Sequence, residues 1–160
     1  MSSARGLANH HLYLARLVLD AWGRECEAQQ VSAATLSEAF GPACHAHLGR
    51  AYGWFLLAVA GAEPLPLEPP SRAADLPPRP AGKAVPGEIR EFERLEREGW
   101  LAQMLAWAPQ RPGQGSAARA RQPGNLARPA PSVDGPDTFR GWARDLDSLF
   151  QRMGDSLDEY

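Results

Sequence analysis

Residues 7–27, LANHHLYLARLVLDAWGRECE, form the stretch that decides the fold. At about 100° per residue, apolar side chains cover more than half of this helix and leave only a polar wedge. Its first apolar side contains Leu7, His11, Leu14, Leu17, Val18 and Ala21, and its second contains Leu12, Ala15, Leu19, Trp22 and Cys26. Such a helix must be covered by more than one neighbour. The pattern predicts the central helix of a bundle, with Leu14 and Val18 buried at its centre.

The second helix is predicted to start near Ser32 and Thr35, which are both candidate N-caps. Apolar residues then recur at helical spacing, at Leu36, Phe40, Cys44, Leu48, Ala51, Phe55 and Val59. Gly41-Pro42 interrupts this pattern, and a proline inside a helix bends or breaks it. We therefore expect either one kinked helix or two helices that share a direction, and we favour the kink. Gly61 is a candidate C-cap.

Two further helices are predicted in the second half of the chain. The third covers residues 88–107, and its mostly apolar end should enter the core, with Gly99 allowing a close approach. The fourth begins after Gly135-Pro136, with Asp137 as the candidate cap. It has the cleanest amphipathic pattern of the chain, carried by Phe139, Trp142, Leu146, Leu149, Phe150, Met153 and Leu157.

Two long connections separate these helices. Residues 62–87 contain eight prolines, a density that predicts an extended, partly polyproline II linker across the bundle. Residues 109–135 are rich in Arg, Gly and Pro and predict a flexible linker. No alternating strand pattern occurs. The sequence therefore predicts a single all-α domain over residues 1–160: an up-and-down bundle of four main helices with two long Pro-rich connections.

Bulk composition limits the classes of function. A net charge of −2 produces no global field that would attract nucleic acid or an acidic membrane. The two cysteines, Cys26 and Cys44, lie at different depths of the predicted helix 1–2 hairpin, so we expect free thiols in a reducing compartment. No secretion signal is visible, and the apolar run at residues 54–62 is too short to span a bilayer. We therefore expect a cytoplasmic protein without a membrane partner, and no cofactor.

Several short patterns resemble a known family. They are NHHLYLAR at residues 9–16, AYxxFL at residues 51–56, GWL at residues 99–101, and a terminal helix with Trp142, Leu149, Arg152 and Tyr160. Together they are similar to a family of small uncharacterised bacterial all-helical proteins that carries a domain of unknown function. The resemblance covers the four predicted helices and neither Pro-rich segment. It implies an all-helical cytosolic protein and nothing about chemistry.

One pair of residues offers a catalytic hypothesis. Arg5 and His10 have the R-x4-H spacing of the ribonuclease motif in HEPN domains, which are also helical bundles. In such a site arginine holds a phosphate while histidine moves a proton from a ribose hydroxyl. Here Gly6 replaces the polar residue that usually follows the arginine. A structural role for both residues is the favoured interpretation, and the HEPN-like ribonuclease is kept as an alternative.

The four histidines raise the question of a metal site. Histidines that are close in sequence cannot bind the same ion here. On a helix the rings of His10 and His11 point about 100° apart, and those of His45 and His47 point about 200° apart. A mixed site of His11 and His47 across the hairpin, with Asp20 or Glu38, is the remaining possibility. We favour half-buried, hydrogen-bonded histidines and predict no metal site.

A buried polar network is a second possibility for ligand binding. The polar wedge of helix 1, at Tyr13, Arg16 and Asp20, can meet Tyr52 on helix 2. A network of this kind usually specifies packing, so a ligand site there is the less favoured interpretation.

The best candidate for binding is the second linker. It carries Arg111, Arg119, Arg121 and Arg128 and no acidic residue before Asp134, so it can contact phosphates without a fixed shape. It lacks the interleaved aromatic residues of a stacking platform, and a solvated linker is the favoured interpretation. We conclude that the chain is most simply a non-enzymatic interaction protein whose partner is another protein. A nucleic-acid-associated accessory protein is the first alternative.

Overall fold

Five α-helices and one 3₁₀ turn make up the regular structure of the described residues. The computed structural model describes residues 2–79, 86–109 and 133–158. The helices are α1 (Ala4–Ala28), α2 (Ala33–Ala60), α3 (Gly87–Arg97), α4 (Trp100–Ala106) and α5 (Pro136–Asp158), and the 3₁₀ turn is Ala73–Asp75. The predicted all-α fold is confirmed, with five helices instead of four.

Helices α1 and α2 form a long antiparallel hairpin, and their ends follow from local capping. The side chain of Ser3 accepts a hydrogen bond from the amide of Gly6 at the start of α1, and Ser32 does the same for Thr35 at the start of α2. Gln29 and Gly61 adopt left-handed conformations that end the two helices. Gly61 thus has the predicted C-cap role, and Ser32 is the N-cap of α2.

Helix α2 continues without a break through Pro42. The prediction of a single helix is confirmed, and the alternative of two separate helices is wrong. Pro42 is exposed, so its ring does not disturb the packed side of the helix. The bend that we expect at Gly41-Pro42 stays a prediction.

The buried side of α1 differs from our expectation. Leu12, Leu19 and Trp22 are almost fully buried, whereas Leu14 and Val18 are only half-buried. Leu17 is 46% exposed. The expectation that Leu14 and Val18 lie at the buried centre is therefore wrong. The reason is that both α2 and α5 pack on α1, and the residues buried in this packing belong mainly to its second apolar side.

Helix α5 closes the core against the hairpin. Phe139 packs against Trp22 with ring centroids 5.3 Å apart, and Phe150 stacks on Phe55 at 4.1 Å. The residues of α5 that the pattern placed in the core are buried as far as its side chains are described: Phe139, Trp142, Leu146, Leu149, Phe150 and Met153. The helix begins at Pro136, so Asp137 lies in its first turn and pairs with Arg140 instead of standing before the helix as its cap.

The predicted third helix is two helices. Helix α3 ends at Arg97 and α4 begins at Trp100. Gly99 lies between them with a φ of 94°, a value that side chains rarely tolerate. No heavy atom outside its chain neighbours lies within 4 Å of the position that a Cβ would take, so Gly99 serves the turn and not a close approach. Leu101 and Met104 of α4 are buried, as the apolar pattern predicts.

The described part of the first linker, residues 62–79, packs against α2 and α3. We refer to it as the Pro-rich strap. A Cβ on Gly53 of α2 would lie 2.9 Å from the Cβ of Pro69 and would collide with the carbonyl oxygen of Pro70. Ala73 is buried, and Arg50 of α2 pairs with Glu68. The strap therefore lies across the bundle. Most of the predicted flexible linker, at residues 110–132, lies outside the described residues.

Candidate functional site

An apolar surface remains on the outer side of the α1–α2 hairpin. On α1 it consists of Leu14, Leu17, Val18 and Ala21, and on α2 it consists of Ala39, Ala43 and Ala46. We call this surface the hairpin face. Leu17 is exposed, Leu14, Val18 and Ala21 are half-buried, and the three alanines are exposed. None of these residues carries a charge.

A histidine contact shows that the two rows are neighbours. His11 of α1 meets His47 of α2, with their Nδ1 atoms 3.3 Å apart. Leu14 and Val18 follow His11 at the third and seventh positions, and Ala43 precedes His47 by four positions on the antiparallel helix. Residues three or four apart lie on one side of a helix, so both rows continue along the same side of the seam.

The two rows differ in side-chain size. Three of the four residues on α1 are bulky and aliphatic, and the three residues on α2 are alanines. The side chains on α1 therefore stand out as a ridge beside the lower alanine row, which we call the trough. Helices pack by placing such ridges into grooves, at interaxial distances of about 8–10 Å. The face has the shape and the polarity of a surface that another helix can cover.

The same seam contains the histidine pair. The rings of His11 and His47 have centroids 5.5 Å apart, and His10 lies 5.9 Å from His11. Burial lowers the pKa of both paired histidines, and Arg50 and His10 lower each pKa further. The pair is neutral at pH 7, and one ring donates a hydrogen bond to the other. This agrees with our interpretation of half-buried, hydrogen-bonded histidines.

The remaining histidine is in a separate environment. The ring of His45 donates from Nε2 to the carbonyl oxygen of Met104 at 2.7 Å and packs against Trp107. Within residues 2–79, 86–109 and 133–158, no group of three or more His, Cys, Asp or Glu side chains is placed to hold a metal ion. Cys26 and Cys44 are free thiols, and burial raises the pKa of Cys44 to about 12, which makes it unreactive.

A polar cluster forms around Tyr52, but not the one that we expected. The hydroxyl of Tyr52 donates to Glu96 of α3 at 2.5 Å, and the same carboxylate accepts from the backbone amide of Ala73 at 2.7 Å. Burial and this hydrogen bond raise the pKa of Tyr52 above its usual range. The cluster fixes the Pro-rich strap between α2 and α3, and this role is structural.

The predicted network between Tyr52 and the polar wedge of α1 is wrong. Tyr13 is 57% exposed, and Arg16 pairs with Asp147 of α5 at 3.0 Å. The wedge faces solvent and α5, whereas Tyr52 faces α3. Glu96 was missed by the sequence analysis, although it follows the core residue Phe92 by four positions and so lies on the same side of α3.

Arg5 and His10 both lie on α1, five positions apart. Positions five residues apart on a helix point about 140° away from each other. The guanidinium of Arg5 lies against α5 at Gly154, where an added Cβ would collide with it. Arg5 also lines a groove of about 840 Å³ at the end of the hairpin, together with Leu57 and Leu65, and His10 is not among the lining residues.

The nucleic-acid hypothesis rests on residues beyond the described ranges. Arg111, Arg119, Arg121 and Arg128 all lie outside them. The hypothesis is therefore not tested by the geometry. Among the described residues, no helix combines the length and the apolar character needed to cross a membrane.

Comparison with known protein families identifies a match over the whole chain. A model of a family of unknown function, DUF6586, matches residues 1–160. No curated protein and no solved structure matches the chain.

Proposed function

Because the chain belongs to DUF6586, a family of unknown function, we propose from its own geometry that it is a non-enzymatic interaction protein. Its hairpin face binds an amphipathic helix of a partner protein. The observation that carries this proposal is the uncharged ridge of α1, exposed at Leu17 and half-buried elsewhere, beside the exposed alanine row of α2. Contiguous apolar surfaces of this kind mark interaction sites on soluble proteins.

The two-row shape favours a helix as the bound element. Leu14, Leu17 and Ala21 repeat at three and four positions, so they present one continuous ridge. The alanines of α2 add no bulk, and a partner backbone can approach closely above them. A partner helix with apolar residues at i, i+3, i+4 and i+7 fills the trough beside the ridge. The first apolar side of α1, which is half-buried except for the exposed Leu17, is then buried further by that partner.

Leu17 is the most informative residue of this face. Full burial of a leucine contributes about 1.5–3 kcal/mol, and Leu17 is 46% exposed, so a partner that covers it gains about 1 kcal/mol there. Leu17→Asp removes this gain and also places a charge against the apolar surface of the partner. Together these effects should weaken binding by at least about tenfold, which corresponds to 1.4 kcal/mol.

The test compares capture of partners by four versions of the tagged protein in lysate of the native cell. These are the wild type, Leu17→Asp, Ala43→Asp and the control Val31→Asp. Val31 is 40% exposed in the turn between α1 and α2 and lies off the hairpin face. We expect a protein that the wild type and the Val31→Asp variant retain and that both face variants lose. Circular dichroism and melting temperature establish that each variant is folded.

Two results would contradict the proposal. The first is that all four versions retain the same proteins or none. The second is that the wild type sediments as a dimer at low micromolar concentration and that Leu17→Asp makes it monomeric. The face would then be an interface between two copies of the chain, and the partner helix would be the wrong occupant.

The cytoplasmic location expected from the sequence is part of this proposal. Two alternatives also stay predictions. One is nucleic-acid binding through the four arginines at residues 111–128, and the other is ribonuclease activity through Arg5 and His10. We rank the ribonuclease last, because Gly6 replaces the polar residue that usually follows the arginine of that motif.

A further inference from the structure

The His11–His47 contact has the geometry of a chelating pair. The two Nδ1 atoms are 3.3 Å apart, and each ring is held on a different helix of the hairpin. Two Zn–N bonds of about 2.0–2.1 Å at a tetrahedral angle place their nitrogen atoms about 3.3–3.4 Å apart. We propose that His11 and His47 form a two-imidazole binding site for a divalent transition-metal ion of the zinc class. This site is independent of the proposed partner helix.

The two histidines are 36 positions apart, and the α1–α2 hairpin brings them together. A second contact shows the same pairing of the helices one turn away, where the thiol of Cys44 points to the carbonyl oxygen of Ala15 at 3.9 Å. Both rings therefore approach each other from rigid backbones. Donors held in this way need little reorganisation when an ion binds.

The protonation state suits a metal ligand. A neutral imidazole is the form that binds a metal ion, and the hydrogen bond between the two Nδ1 atoms, 3.3 Å apart, requires that one of them carries no proton. In the free pair one Nδ1 carries the shared hydrogen. When an ion binds, that ring changes tautomer, its proton moves to Nε2, and both Nδ1 lone pairs face the ion.

One nearby cation limits the affinity. The guanidinium of Arg50 acts on both histidines electrostatically. The charge of Arg50 is partly balanced by Glu68, whose carboxylate lies 3.3 Å from the guanidinium. His10 does not act as a third ligand, because adjacent helical positions point about 100° apart. The ion therefore has two protein ligands, and water occupies its remaining positions.

The test is isothermal titration calorimetry of tag-free protein with zinc chloride at about pH 7.5. We expect about one ion per chain, and a loss of affinity of at least about tenfold in both His11→Gln and His47→Gln. The controls are His10→Gln and His45→Gln, which should bind within about twofold of the wild type. Circular dichroism confirms that each variant is folded.

A second measurement covers the case in which a variant does not fold. Co²⁺ replaces Zn²⁺ in wild-type protein labelled with ¹⁵N, and the paramagnetic ion should broaden the ring signals of His11 and His47 before those of His45. The proposal is wrong if the wild type binds no zinc at millimolar concentration. It is also wrong if His10→Gln abolishes binding, or if Co²⁺ broadens no histidine ring selectively.

Discussion

The placement of α1 in the core makes a quantitative prediction about three leucines. We consider Leu12→Ala, Leu14→Ala and Leu17→Ala, which remove the same atoms from one helix at increasing exposure. Leu12 is 2% exposed, Leu14 is half-buried and Leu17 is 46% exposed. Helix propensity changes by the same small amount in each case, so differences among the three reflect packing.

The magnitudes follow from what each side chain contacts. Leu12 lies in the core of the bundle, so its truncation loses transfer free energy and leaves a cavity, at a cost of about 2–5 kcal/mol. Leu14 lies at the outer edge of the hairpin, where water or neighbouring side chains fill the space. Its truncation should cost about 1–2 kcal/mol. Leu17→Ala should change stability by less than about 0.5 kcal/mol.

The assay is urea denaturation followed by far-ultraviolet circular dichroism, with unfolding free energies compared at equal m-values. The expected order of destabilisation is Leu12, then Leu14, then Leu17. If Leu14→Ala costs as much as Leu12→Ala, the orientation of α1 described above is incorrect. The hairpin face would then be buried, and the proposed docking surface would not exist.

Three further predictions address other parts of the molecule. Tyr52→Phe should lower the free energy of unfolding by about 1.5–3 kcal/mol, because it removes a buried hydrogen bond to the Glu96 carboxylate. A change near zero in urea denaturation would show that this hydrogen bond is not formed. Folding lowers the pKa values of His11 and His47. The neutral pair therefore makes its full contribution to the free energy of unfolding above the ordinary pKa of 6.5, and this contribution declines as the pH falls below that value. In the presence of a chelator, the wild type should lose more stability between about pH 7 and about pH 5 than a variant with glutamine at both positions, and equal losses would contradict the assignment. If the four arginines at residues 111–128 bind single-stranded nucleic acid, affinity should fall with salt at a log–log slope of at most about −3, and their joint change to glutamine should abolish binding. Absence of salt-sensitive retention by the wild type at about 50 mM salt would end that hypothesis.

The helical fold could be predicted because its signals are local. Helical spacing placed the core residues of α5, such as Phe139 and Leu146, and Gly61 marked the end of α2. The break at Gly99 was missed, since a glycine within an apolar pattern is compatible with either a continuous helix or a turn. Only the φ of 94° distinguishes the two cases.

The orientation of α1 could not be predicted for a different reason. Its two apolar sides are similarly hydrophobic, and the sequence does not state which one α2 and α5 cover. The structure buries the side with Leu12 and Trp22, where alanines at positions 4, 8 and 15 let neighbouring helices approach closely. The small size of these residues was the available signal. A comparison of the two sides by their large hydrophobic residues alone gives these alanines no weight.

The contacts of the candidate sites are long-range, and this limits prediction from the sequence. Glu96 meets a tyrosine that is 44 positions earlier in the chain, and His11 meets His47 across the hairpin. The His11–His47 pairing was considered from the hairpin alone, because an antiparallel pair constrains which residues are opposite. No comparable rule relates α3 to α2, which the Pro-rich strap connects.

The Pro-rich strap packs so closely on Gly53 that a larger residue at this position would change the position of the strap. A methyl group there would collide with the backbone of Pro70, so the Gly53→Ala chain must lift the strap away from α2 or distort the helix. Glu68 of the strap pairs with Arg50, and Arg50 acts electrostatically on His11 and His47, so a displaced strap would reach the histidine pair through this ion pair. One methyl group on Gly53 would therefore change the charge environment of the two histidines without a substitution in either of them.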